Sequence, residues 1–148
     1  MKLYLLLMIV FGLLIAPLNF KDEAQRDHEM IQGTWKVVSA QDSGRKAPDE
    51  VIKNLKWIVT KNTITYKFGV KNTALSFVLD PTTNPKWIDL TEVVEGEKVK
   101  PSLGIYELKG DDLKICYPEA GNVERSTAFE SKADSFNDIF IILKREKP

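Results

Sequence analysis

The chain is built from short runs in which apolar and polar residues alternate, each closed off by turn residues. The clearest is "LGIYELKGDDLKICYPE", residues 103–119, where two such runs flank Lys109-Gly110-Asp111 and Gly110 supplies the turn. Successive strand side chains point to opposite faces, so an alternating run offers one face to a core and the other to water. The pattern recurs along the chain. In "QGTWKVVSA", Trp35, Val37 and Ser39 alternate with Thr34, Lys36 and Val38. "KWIVTK" and "NTITYKFG" follow, the latter with Ile64, Tyr66 and Phe68 on one face. "TALSFVLD" puts Leu75, Phe77 and Leu79 on one face and stops at Asp80-Pro81. A short run around Trp87, then "STAFESK" and "DIFIILKRE", complete the set. In the last run both faces carry apolar groups, so part of it is expected to be covered on both sides.

Eight to nine short strands and no repeat are expected. Neighbouring runs are close in sequence and no βαβ crossover intervenes, which predicts an antiparallel barrel or sandwich. A barrel also removes its own edges. "DEVIKNLKWIV", opened by Pro48 and the acids Asp49 and Glu50, predicts a helix of about two turns over residues 49–55, too short to stand without a larger surface beneath it. The expected fold class is therefore all-β: an up-and-down barrel of about eight strands with one short helix after the first.

The first twenty residues, "MKLYLLLMIVFGLLIAPLNF", carry one charge, Lys2, and an apolar run from Leu3 to Ala16. The run is short for a bilayer span and suits a secretory signal segment over residues 1–20. Cleavage is expected after Ala16 or near Phe20, although Leu14 is a poor partner for a small-residue site. The rival reading is an uncleaved anchor, and membrane contact follows only from that reading. "KDEAQRDHEM", residues 21–30, reads as a polar linker or a short solvated helix, and the domain proper as residues 31–148. The full chain has 21 basic and 21 acidic residues; without Lys2 the balance is 20 to 21, which asks for no nucleic acid. A secreted or periplasmic domain with Cys116 as its one cysteine has no internal disulfide, and Cys116, on an alternating run, reads as a buried small hydrophobe rather than a reactive thiol.

Gly33 and Trp35 stand at the mouth of the first strand. Glycine lets backbone pass close by, and the Trp is expected to plug one barrel end. First and last strands meet when a barrel closes, so Lys144 or Arg145 can cover the indole, and the planar guanidinium of Arg145 suits it better. Gly33-x-Trp35 with a late basic residue resembles the shared signature of lipocalins, fatty-acid-binding proteins and avidins. "QGTWKVVSAQDSGRKAPDEVIKNLKW", "FVLDPTTNPKWIDLT", "LGIYELKGDDLKICY" and "STAFESK" followed by "FIILKRE" resemble, in that order, an uncharacterised lipocalin-like domain family abundant in planctomycete bacteria. The resemblance covers about Ile31 to Arg145. It implies an exported or surface barrel domain and brings no catalytic residues.

The chemistry-bearing residues are sparse. His28 is the only histidine and lies in the charged stretch, where it reads as solvated; one His, one Cys and no carboxylates at ligand spacing predict no metal site and no cofactor. No Ser-His-acid set or paired carboxylates stand out, so a non-catalytic protein is expected. Asp80 is expected to cap the turn of "DPTT" through backbone N–H groups. Asp89, on the same face as Trp87 and alternating with Ile88 and Leu90, can point inward, where it needs a partner. Tyr106, if inward, offers its hydroxyl to a ligand or to another buried group, and Glu107 can pair with Lys114 across the hairpin. Two functions remain open. In the first, the rings of Trp57, Tyr66, Phe68, Phe77, Trp87, Tyr106 and Phe129 line a cavity for an apolar or aromatic small molecule. In the second, the same rings fill the barrel, and its outer surface meets an envelope protein.

Overall fold

The computed structural model describes residues 20–119, 122, 124–133 and 138–147; the expected signal segment falls almost wholly outside them. Helix α1 (Phe20–Met30) leads into β1 (Gly33–Asp42). A two-residue strand β2 (Arg45–Lys46) and one helical turn, α2 (Asp49–Ile52), come next. The strands β3 (Lys56–Thr60), β4 (Thr63–Phe68), β5 (Lys71–Asp80), β6 (Lys86–Glu92), β7 (Ser102–Lys109), β8 (Asp112–Pro118) and β9 (Asp138–Arg145) then follow in order. Each pairs antiparallel with the next, and β1 pairs with both β3 and β9. The sheet thus closes into an eight-stranded, lipocalin-like up-and-down barrel, with β2 a short hairpin on the end of β1. The ninth strand is β2, whereas residues 126–132 run as an irregular segment on the outside.

Burial follows the alternation. Ile64, Leu75, Phe77, Ile88, Leu90, Leu113, Ile115, Ile141 and Leu143 point inward and form one core with Trp35, Val37, Trp57 and Val59. In β1 the alternation breaks: a bulge at Val38 shifts the register, so Ala40 opposite Ile141 takes the interior position after Val37, and Ser39 does not. Helix α2 is one turn long rather than two, because Lys53 and Asn54 already turn the chain back into β3.

Residues 21–30 are not a linker. They form α1, which lies across the barrel end where β1 starts and β9 finishes. Gln25 and Glu29 bond one turn apart at 2.9 Å, as helical neighbours do. Composition hides the docking, since the helix is anchored by polar groups rather than by an apolar stripe. Asp27 is only 6% exposed. Its Oδ2 accepts from the Tyr106 hydroxyl at 2.6 Å and from the Lys86 ammonium at 2.8 Å, with Glu23 3.3 Å from the same ammonium. His28, expected to be solvated, is half-buried: its ring lies 5.9 Å from Phe77 and its Nε2 is 2.8 Å from Asn62 Oδ1.

The plug is as the sequence predicts. Trp35 is fully buried and donates its indole N–H to the Ile31 carbonyl at 2.8 Å. The Arg145 guanidinium stacks 4.2 Å from the Trp35 ring and donates to the carbonyls of Gln32 and Met30. Gly33 has φ +115°, and a Cβ there would meet the Arg145 guanidinium at 3.3 Å, so both conformation and space favour glycine.

Candidate functional site

The barrel ends differ. At the α1 end Trp35, Ile31, Tyr106 and Leu113 are all buried, and the interior is filled. The surface hollow there, about 360 Å³, is lined by Asp22, Glu23, Arg26 and Lys86 around Asp27. Its groups suit anchoring better than proton transfer. Burial, together with the Asp27 carboxylate, holds the Tyr106 phenol far above its ordinary range, so it stays protonated and donates. Burial opposes the charge of Lys86, but hydrogen bonds and charge from Asp27 and Glu23 outweigh it and hold the ammonium above its usual value.

At the opposite end β1 has left β3 behind. The two pair only from Gly33 to Lys36, and beyond that α2 stands beside β1. A recess of about 420 Å³ opens there, walled by Ala40, Ile52, Leu55, Phe68 and Ile141. A smaller hollow of about 140 Å³ under the β6–β7 connection adjoins it, sharing Tyr66, Lys71, Thr73 and Ile139 as wall residues. The inward alternation of β4 and β5 puts Tyr66 and Thr73, a register pair, on the recess wall. Tyr66 stacks on buried Trp57, ring centroids 5.5 Å apart. The Trp57 indole N–H has no partner among the described residues. Burial raises the Tyr66 phenol above its ordinary value, with Thr73 bonding in opposition and Glu92 adding to the rise. At the rim, Lys71 Nζ meets Glu92 Oε1 at 2.9 Å, and that bond keeps the ammonium charged.

No family model, curated protein or solved structure matches the chain.

The seven rings singled out in the sequence go to four places. Tyr66 and Phe68 reach the recess, Phe68 from the rim at 53% exposure, and Trp57 lies against Tyr66. Phe77 belongs to the buried core and Tyr106 to the α1 anchor. Trp87 and Phe129 do not face the interior. Trp87 pairs with Ile105, while its neighbour Ile88 takes the inward position. Phe129 lies outside β9, its ring 6.3 Å from that of Phe140.

These two rings belong to a second apolar layer on the outer face. Ile105, Cys116 and Pro118 point outward yet are buried, because residues 124–133 cross over them. Arg125 holds that crossing in place: its guanidinium stacks 4.2 Å from the Trp87 ring, sits 2.8 Å from Asp89 Oδ1 and donates to the Gly104 carbonyl at 2.7 Å. Asp89 therefore points outward, with Arg125 as the partner it needs. Part of β9 is covered on both faces, as its composition predicts: Phe140 lies beside Phe129 on the outside, while Lys144 is exposed. The Cys116 thiol lies under this layer, donates toward the Glu130 carbonyl at 3.4 Å, and is pushed up to about 11 by burial and the Asp138 charge. Asp80 caps its turn, accepting from the Thr82 N–H at 3.0 Å and hydroxyl at 2.6 Å, and Glu107 meets Lys114 at 3.0 Å.

Sequence reasoning missed Lys71, Thr73, Glu92, Ser102 and Tyr117, the polar part of the recess wall. Their alternation was readable; which barrel end remained unfilled was not, since that depends on α1 stopping the other one. Among the described residues no three His, Cys, Asp or Glu side chains are grouped to hold a metal ion, and no helix is long and apolar enough to cross a membrane.

Proposed function

We propose that this protein is an exported, non-catalytic barrel that binds a small molecule with a substantial apolar part at its open end. The observation that carries the reading is the recess itself: about 420 Å³, walled by aliphatic side chains and Tyr66, and adjoined by a smaller polar hollow. Pockets that hold small molecules are mostly apolar with a few placed polar groups, and this one has that composition. The filled α1 end supports the same reading, because it gives the recess a rigid floor.

Native mass spectrometry of the chain purified gently from the exported fraction tests it. A discrete extra mass that is lost on denaturation is expected. A bare mass that persists after incubation with lipid and aromatic small molecules would sink the reading. The alternative, an envelope domain that meets another protein, is favoured by one observation: Val70, Val93 and Val94 stand exposed on two loops at the same barrel end. That alternative predicts the bare mass together with loss of a partner contact on Val70→Asp.

A further inference from the structure

The two lobes of the recess differ in chemistry. The larger is walled chiefly by aliphatic groups, with Asp42 beside Ile139, its register partner on β9. The smaller carries Lys71, Lys100, Glu92 and Glu119, with Ser102 and Tyr117 between them. Tyr66, Lys71, Thr73 and Ile139 belong to both walls, so the two lobes adjoin there.

We propose that the ligand is an amphiphile whose apolar body fills the larger lobe and whose polar end, read in the smaller lobe, carries no net charge. This rests on the binding reading above and sharpens it. Two lysines and two glutamates cancel on the wall of the smaller lobe. Lys71 Nζ already sits 2.9 Å from Glu92 Oε1. An anionic head brought to Lys71 must displace the Glu92 carboxylate or lie beside it, and like charges side by side are unfavourable. A cationic head brought to Glu92 meets Lys71 in the same way. A zwitterion extends the pair by adding one charge of each sign. An uncharged hydroxylated head is served by Ser102, Thr73 and the two tyrosines, each able to donate and accept. Asp42 weighs further against an anion. The Lys71 and Glu92 side chains are 68% and 33% exposed, so water screens the discrimination and keeps it to about tenfold rather than thousands.

The test uses N-phenyl-1-naphthylamine as a fluorescent probe of the recess and displaces it with amphiphiles sharing a dodecyl chain. Their heads are a maltoside, a dimethylglycine zwitterion, a carboxylate and a trimethylammonium, each below its micelle concentration. The maltoside and the zwitterion are expected to bind about tenfold tighter than either charged head, with the carboxylate weakest. Glu92→Gln should shift preference toward the carboxylate, and Lys71→Met toward the trimethylammonium, by about three- to tenfold in opposite directions. Both side chains are on the rim, so neither variant disturbs the core. Equal affinity for all four heads, a wild-type preference for a charged head, or unchanged preference in both variants would overturn the proposal while leaving the recess a binding site. Failure of the probe and of all four amphiphiles to bind would overturn the binding reading itself.

Discussion

Trp35 concentrates several of the structure's constraints in one residue. It is fully buried, its N–H is satisfied, and a guanidinium covers its face. Trp35→Ala should lower unfolding free energy by about 3–5 kcal/mol, as large aromatic truncations in packed cores do. A denaturant melt showing a loss below about 1 kcal/mol would take Trp35 out of the core. Cys116 is the opposite kind of residue, buried and chemically quiet. Its raised pKa means that the neutral thiol, not the reactive thiolate, persists until the pH nears about 11. Iodoacetamide should therefore label it negligibly at pH 8 in the native protein and quickly once denaturant is added; fast native labelling would contradict the outer layer. Both residues were legible in the sequence, Trp35 from its place after Gly33 and Cys116 from its place on an alternating run. Trp87 and Phe129 were not. Alternation says that two faces exist, but naming the inner one needs the neighbours, and an outer apolar layer makes both faces look like core.

Two of the elements outside the strand ladder change how it behaves. The first is α1, held by Asp27 between Tyr106 and Lys86. Tyr106→Phe removes one donor to a buried carboxylate and should cost about 1.5–3 kcal/mol, the range for hydrogen bonds to charged groups. Hydrogen exchange should show the loss concentrated in α1 amides; unchanged protection there would mean the helix is held by other contacts. Nothing in "KDEAQRDHEM" announces this role, because its anchor partners are 59 and 79 residues away. The second element is the crossing over residues 124–133. Arg125→Ala removes its stacking on Trp87, its ion pair with Asp89 and its bond to Gly104. The crossing should then open more often, and Cys116 should be alkylated about tenfold faster at pH 8 with little change in the barrel's far-ultraviolet circular dichroism. An unchanged rate would assign the cover to Ser126 and Ser131, which bond Asp138 at 2.8 and 2.6 Å.

At the scale of the whole molecule, everything depends on closure. β9 pairs with β8 from Asp138 to Lys144 and with β1 across the bulge. A chain stopped before Asp138 loses the partner of two strands at once and should fail to fold, giving no sharp near-ultraviolet dichroism and no cooperative melt. A cooperative melt from that fragment would show that the sheet is stable while open. The antiparallel barrel itself was the most legible feature, although the alternating runs alone left a sandwich open and one of them, residues 126–132, is not a strand. Whether the interior is open or filled was not legible, and the answer is divided by end: filled beside α1, recessed beside α2. The floor and the mouth also fix how the protein can be held. The α1 helix rests against the floor, and the backbone N–H of Glu146 bonds to the Thr34 carbonyl at that same end. The described chain therefore starts and finishes at the base, as the two roots of a cup's handle would. A barrel immobilised through a tag at its C-terminal end should therefore keep access to its recess, while one fixed through Val70 should lose it.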